Sequence, residues 1–459
     1  MKPNNIMKIS NFTYMEKIIT NHHRVIFILS VILFRIILES SYINAIQNSL
    51  LFTSYNLSPS FDNYLISWGI FFLLIPFISD WFTKASDYFF IIFLLIVITP
   101  MLIIYGYDAV LINSFSNSIS ISIFSFAETV NLKSLIGMII SFLSIQLIIR
   151  LKMPVFKNLP VLNYGFYIAI IISSLFVIFL IFWYYISGVY FNLDLSKVYD
   201  LRVFNSNLSS KGIFAYTNGW TYNIFNMFLL SVALLKRKTI LVILILCIQI
   251  YFFAGSAHKT VLFMPFLILF LYFLSNRTSS LIIIPFSLIL ICTMTMISFI
   301  LFDQRFLLGI FLRRLFFVPA DLTFAYFEFF STNLHVYWSN SILKSFISYP
   351  YDSLSVSFKI GSYIGEPKMY ANSGFVSSGY AHAGYFGVLL YSFILGILVK
   401  FVDYMSKNSI PPWFAVSIII TPFIFVLTSA DLLVVGLTHG MFISVILIFL
   451  SRGVGLAPK

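Results

Sequence analysis

The chain carries twelve apolar runs of the length a helix needs to cross a bilayer's hydrocarbon core, about 20 residues. Their approximate limits are Val25–Ala45, Tyr64–Ser79, Tyr88–Gly106, Leu132–Ile149, Val161–Ile186, Ala215–Leu235, Thr239–Ala254, Val261–Leu274, Ser280–Phe302, Tyr385–Phe401, Trp413–Ser429 and Leu432–Leu450. In hydrocarbon every backbone N–H and C=O must find its partner within the chain, so each run is predicted to be a helix. Composition agrees: 60% of the 459 residues are hydrophobic and only 10% are charged, against about 25% charged in soluble domains. Disorder, a collagen-like or disulfide scaffold and a soluble enzyme are excluded. The fold class is an all-α polytopic membrane protein with about 12 transmembrane helices.

The formal net charge is +12. On so apolar a chain this excess is better explained by Lys and Arg at cytoplasmic loop ends than by nucleic-acid binding. With the N-terminus inside, sixteen of the 28 Lys and Arg fall in cytoplasmic segments, eleven fall outside, and Arg35 lies within the first span. Nine of the eleven outer ones sit in two longer loops, so both termini are predicted to be cytoplasmic. The first span lacks a small-residue cleavage pattern and reads as uncleaved. Cys247 and Cys292 lie inside apolar runs, not in metal-ligand spacing, and report nothing on redox compartment.

Extramembrane mass concentrates in two outer loops, 188–214 and 303–384. Loops of that size exceed ordinary connections and are where chemistry is expected. No internal repeat of the kind that builds secondary transporters is visible.

The first loop carries Tyr199-Asp-Leu-Arg202. Arg202 is either a clamp for a diphosphate or carboxylate, for which a planar, permanently charged guanidinium suits, or a solvated arginine paired with a carboxylate such as Asp200. The second loop opens with Asp303-Gln-Arg305 and continues through Arg313-Arg314 to Pro319. On a helix Arg305 and Arg313 lie about 12 Å apart, so one diphosphate does not easily bridge both. Pro319 suits a helix start, which puts Asp321 and Glu328 on one face. Here too two readings stand: an interfacial helix with snorkelling arginines, or a cationic cup with a carboxylate nearby as base. His335 and His382 are outer histidines that can take a hydroxyl proton, and equally can be structural. Lys259, at the tight turn Gly255-Ser-Ala-His-Lys259, is a weaker cationic candidate. The glycines from Gly361 to Gly396 either cradle an anion with backbone N–H groups or pack helices closely. Arg35 and Glu39, four apart within the first span, should pair. No zinc-like, DxD-like or EF-hand pattern appears, so no metal and no cofactor are expected.

Three stretches, Tyr199-Asp-Leu-Arg202, Arg313-Arg-Leu-Phe-Phe-Val-Pro-Ala320 and Tyr370-Ala-Asn-Ser-Gly-Phe-Val-Ser-Ser-Gly-Tyr-Ala-His-Ala-Gly-Tyr-Phe-Gly387, resemble those of bacterial O-antigen polymerases, the Wzy-type oligosaccharide repeat-unit polymerases. The resemblance covers about Val189 to Val402. It implies a glycosyltransferase C-like enzyme of the bacterial inner membrane with a periplasmic active site and two sizeable periplasmic loops. Such an enzyme moves a growing glycan from its undecaprenyl diphosphate onto an incoming lipid-linked unit and releases undecaprenyl diphosphate. It works in membrane lipid, beside a chain-length regulator protein, and without nucleic acid. The arginines that the family associates with activity map to Arg202 and to one or more of Arg305, Arg313 and Arg314. As a working assignment, Arg202, Arg313, Arg314, Glu328 and His335 are the catalytic candidates. Arg305, Lys259, Tyr199, Asn372 and His382 are the substrate-binding ones. An O-antigen ligase, with the same donor but a lipid A-core acceptor, is the alternative enzyme. A polysaccharide flippase is the alternative of another class, disfavoured by the large outer loop.

Overall fold

Apolar runs with no water to satisfy their backbone can only close their hydrogen bonds internally, and the computed structural model of the chain is accordingly helical almost throughout. It describes residues 4–46, 55–56, 61–107, 110–111, 120–152, 159–194, 198–352, 354–407 and 409–454. Both chain termini and Lys157 and Lys197 of the charge pattern lie outside these, as does the side chain of Tyr199. The protein is a multi-pass membrane protein. Eight described helices are long and apolar enough to cross a bilayer: His22–Ile46, Ala85–Gly106, Asn131–Arg150, Gly165–Ile186, Thr239–Ser256, Lys259–Arg277, Ile283–Phe302 and Phe375–Ser406. The apolar helices Phe61–Phe77, Pro412–Thr428 and Met441–Leu450 are shorter.

The remaining runs are interrupted. Ala215–Leu235 is divided by a π turn at Thr221–Phe225. There the wider spiral leaves the Tyr222 carbonyl to accept from buried Gln249 (3.1 Å). Two other π turns, Phe93–Ile98 and Leu308–Phe317, are each followed by a proline, Pro100 and Pro319. Proline has no N–H to donate and its ring crowds the carbonyl four residues back, and a π turn absorbs that misfit. The last run breaks into Leu432–Leu437 and Met441–Leu450.

The chain forms two compact units. The first comprises 1–82, 91–116 and 279–321. In it the backbone amides of Phe82 and Leu281 donate to Ser279 and Asp80 carbonyls (2.8 and 2.9 Å). His23, stacked on Trp81 at 4.0 Å, bridges Asp80 and Ser280, 2.8 Å from each. Arg35 is fully buried, donates to the Ser67 carbonyl (2.9 Å) and hydroxyl, and lies over the rings of Trp68 (4.0 Å) and Phe71 (4.7 Å). Its predicted partner Glu39 is 3.9 Å away and accepts from the Tyr107 hydroxyl at 2.7 Å.

The second unit comprises 83–90, 117–278 and 322–459. Helices Thr239–Ser256 and Lys259–Arg277 form the predicted hairpin, turning at Ala257-His258. The longest helix, Phe375–Ser406, is broken at Ala383 and Gly384, where φ/ψ are −154/36° and 58/−144°. The second of these is a region that essentially only glycine occupies. Helical geometry resumes at Tyr385, where the sequence places the start of a span. The break also brings Gly379 and Gly387 together: a Cβ on Gly387 would lie 2.0 Å from the Gly379 carbonyl oxygen.

Candidate functional site

The kink at Ala383-Gly384 frees carbonyls that a helix would otherwise use, and the segment His335–Trp338 takes them up. Val336 N–H donates to Ala381 O and Tyr337 N–H to His382 O, both at 2.9 Å, and Trp338 N–H donates to His382 Nδ1 at 3.2 Å. Tyr337 and Trp338 hold left-handed backbone conformations to do so, with φ of 49° and 57°. Side chains avoid that region unless the surroundings impose it, and such strain clusters at functional sites.

Because Nδ1 of His382 accepts, its proton sits on Nε2, which donates to Asp431 Oδ2 (3.2 Å). The same oxygen accepts from the Tyr391 hydroxyl (2.9 Å), which in turn accepts from the Trp338 indole (2.8 Å). Asp431 Oδ1 caps helix Leu432–Leu437 by accepting from the amides of Leu433 (2.8 Å) and Val434 (3.4 Å). Burial alone pushes the Asp431 carboxyl up, but the His382, Tyr391 and Leu433 hydrogen bonds outweigh it and hold the group below the usual carboxylate range.

These residues border a cavity of about 280 Å³. Tyr326, which donates to the Ala371 carbonyl (2.9 Å), brings one wall together, and a chain of hydroxyls from Ser373 through Ser377 to Thr323 (2.8 and 3.0 Å) braces it. Hydroxyl and amide side chains, Ser341, Ser355, Ser357, Ser373, Ser378, Ser429, Asn340 and Asn372, line it with His382, Asp431 and His439, interspersed with the apolar Val356, Ala381, Ala430, Leu433 and Val434. No Lys or Arg is among the lining residues.

Of the sequence candidates, Asn372 and His382 therefore share one wall. Arg202 is placed differently. It lies on helix Val198–Ser209, between Gly165–Ile186 and Phe214–Trp220, and donates to the Ala257 carbonyl (3.0 Å) at the end of Thr239–Ser256. A cation is favoured at that C-terminus. Asn205, on the same helix, donates to Tyr190 and Gly255 carbonyls (2.7 and 2.8 Å) and fastens the helix to the hairpin. Asp200 is exposed. Burial, then the positive charge of Arg202, then His439 push His258 down to about 3. Arg202 and the cavity histidine thus both act on one neutral imidazole. Lys259 follows it at the start of the next helix.

No protein-family model, curated protein or solved structure matches the chain.

The other candidates stand apart from the cavity lining. Arg313 (half-buried) and Arg314 (exposed) lie on the π turn of the first unit, and Arg305 pairs with Asp303 at 3.1 Å on its exposed surface. Glu328 is raised by burial, with the Tyr363 hydroxyl opposing. His335 is lowered by burial against hydrogen bonds to the Ala381 and Tyr380 backbone, and its ring stacks on Phe330. His335 thus packs against the kinked helix, and Glu328 against Tyr363. Sequence reasoning missed Asp431 and His439. The available signal was an ionisable residue interrupting the last apolar stretch, at Ala430-Asp431 and Thr438-His439-Gly440.

Proposed function

We propose that the protein polymerises undecaprenyl-diphosphate-linked O-antigen repeat units at the periplasmic face of a bacterial inner membrane. The growing glycan passes to the incoming unit and undecaprenyl diphosphate leaves. In this reading the chain crosses the membrane twelve times. The eight long helices are joined by Phe61–Phe77, Phe214–Leu235, Pro412–Thr428 and the broken stretch Leu432–Leu450. Both termini are cytoplasmic, the architecture is glycosyltransferase C-like, and a chain-length regulator is the expected partner.

The observation that carries the reading is the cavity. In a chain that is 60% hydrophobic, hydroxyl and amide groups gather in one hollow, and one wall of it is built from the Tyr370–Gly387 stretch that carries the family resemblance. Serine hydroxyls and asparagine amides both donate and accept, which matches the alternating needs of sugar hydroxyls. The chemistry asks for charge elsewhere. As the anomeric C–O bond breaks, its electron pair goes to the departing diphosphate, while an acceptor hydroxyl bonds to the same carbon and gives up its proton. Guanidinium donors held in place act most strongly on that developing charge, and Arg202 and Arg313 are the proposed donors.

A deletion strain tests the reading. Loss of a polymerase leaves lipopolysaccharide core bearing one repeat unit, and complementation by Arg202→Ala or Arg313→Ala, expressed at wild-type level, should leave the same product. Polymer stranded on undecaprenyl diphosphate would identify a ligase instead, and the absence of both products a flippase.

A further inference from the structure

Within the cavity the ionisable groups are not equivalent. Asp431 accepts four hydrogen bonds, two on each oxygen, from Leu433, Val434, His382 and Tyr391. Both ring nitrogens of His382 are occupied, by Trp338 N–H and by Asp431. Neither residue has a lone pair to spare for a substrate proton. His439 differs. Its ring stacks on Phe425 at 4.2 Å and 12°, its backbone amide bonds to Val434 O, and neither ring nitrogen has a hydrogen-bond partner among the described residues. It lines the cavity together with the serines and asparagines, with an aromatic ring fixing its plane.

Charge selects the ligand. A carboxylate held ionised by four donors, with no Lys or Arg among the lining residues, disfavours a second anion and leaves neutral hydroxyl groups as the matching chemistry. A lipid diphosphate therefore does not belong in this cavity, and the cationic Arg202 lies outside its lining.

We infer that the cavity is the acceptor subsite, that it takes an uncharged sugar, and that His439 accepts the proton of the attacking hydroxyl. The base role rests on the polymerase reading; the neutral-sugar site does not. In the step itself, the acceptor oxygen forms its bond to the anomeric carbon, the diphosphate departs with the bonding pair, and the hydroxyl proton ends on a ring nitrogen of His439. A neutral imidazole has one ring nitrogen with a lone pair that can take up that proton. Asp431 and His382 act as positioning groups that tie the lining segments together.

The test uses the full chain in nanodiscs. Binding of a neutral trisaccharide and of the same trisaccharide oxidised to a uronic acid is followed by tryptophan fluorescence, Trp338 being next to His382. The neutral sugar should bind, the uronate at least about tenfold more weakly as like charges repel across the cavity. Ser341→Trp, a change at an exposed lining position, should abolish binding. Equal affinity for both sugars, or binding unchanged in Ser341→Trp, overturns the subsite. His439→Gln should still bind the neutral sugar, weakened by less than about tenfold, which also shows that it is folded, but elongate lipid-linked units about 100-fold more slowly or worse, a loss in kcat well beyond that in binding. Elongation at the wild-type rate overturns the base. A wild type that binds the sugar yet elongates no lipid-linked unit supports the subsite and removes the polymerase reading instead.

Discussion

Two ionisable pairs stand among apolar helices, one in each unit, and they are built for different ends. Arg35 and Glu39 are four residues apart on one helix and closed in by Trp68, Phe71, Ser67 and Tyr107. His382 and Asp431 are far apart in sequence and stand at the wall of a cavity. In the first, Arg35 is met by aromatic faces and Ser67 and Glu39 by the Tyr107 hydroxyl, while Arg35 Nε and Glu39 Oε2 are buried facing only each other at 3.9 Å. In the second, the pair holds two walls in register beside an imidazole whose nitrogens are uncommitted. Ionisable residues in such a setting are costly either way; what separates structure from site is whether a polar hollow adjoins them.

Breaking the closed pair should have the largest effect. Arg35→Leu strands Glu39 in a buried setting and is expected to cost about 3–5 kcal/mol, seen as loss of folded protein on thermal unfolding in detergent. Wild-type stability would mean that the cage does not depend on its charge. At the open pair, Asp431→Ala removes a helix cap, about 1 kcal/mol, and leaves His382 and Tyr391 without their acceptor, roughly 1–3 kcal/mol more. Asp431→Asn can still cap and should recover most of the stability, but should lose preference for neutral over acidic sugars. A smaller effect is one of pH. His258, lowered to about 3 from 6.5, binds fewer protons folded than unfolded between those values. Stability should therefore fall as pH drops from about 6.5 toward 3, and His258→Asn should flatten that slope. The smallest belongs to Arg305, whose ion pair with Asp303 is mostly exposed. Arg305→Ala should change unfolding by less than about 0.5 kcal/mol, and a larger loss would assign Arg305 a partner beyond Asp303.

What the sequence discloses follows the same division. The Arg35–Glu39 pair was legible because four residues is one helical turn. The hairpin at Ala257-His258 was legible because two apolar runs meet there with six residues between them. The His382–Asp431 contact, 49 positions apart, was not, since nothing local records which loop returns to which helix. Helix breaks were legible only in part. Gly384 sits where a span was expected to begin, but the helix preceding it, Phe375–His382, was read as loop. Serine and glycine are poor helix formers in isolation, and there the packing of Gly379 on Gly387 decides. The π turn at Thr221–Phe225 left no mark in hydropathy, because the carbonyl it exposes is answered by Gln249 from another helix. The contact of Arg202 with the hairpin end at Ala257 was not legible, because that carbonyl lies 55 positions away in sequence.

Elongation by the purified full chain, given defined undecaprenyl-diphosphate-linked repeat units, tests the central claim most directly. The account expects a ladder of glycans of increasing length on undecaprenyl diphosphate, with free undecaprenyl diphosphate released in step, and no ladder from Arg202→Ala. Units that stay single with the wild-type chain, or an undiminished ladder from the variant, would contradict it.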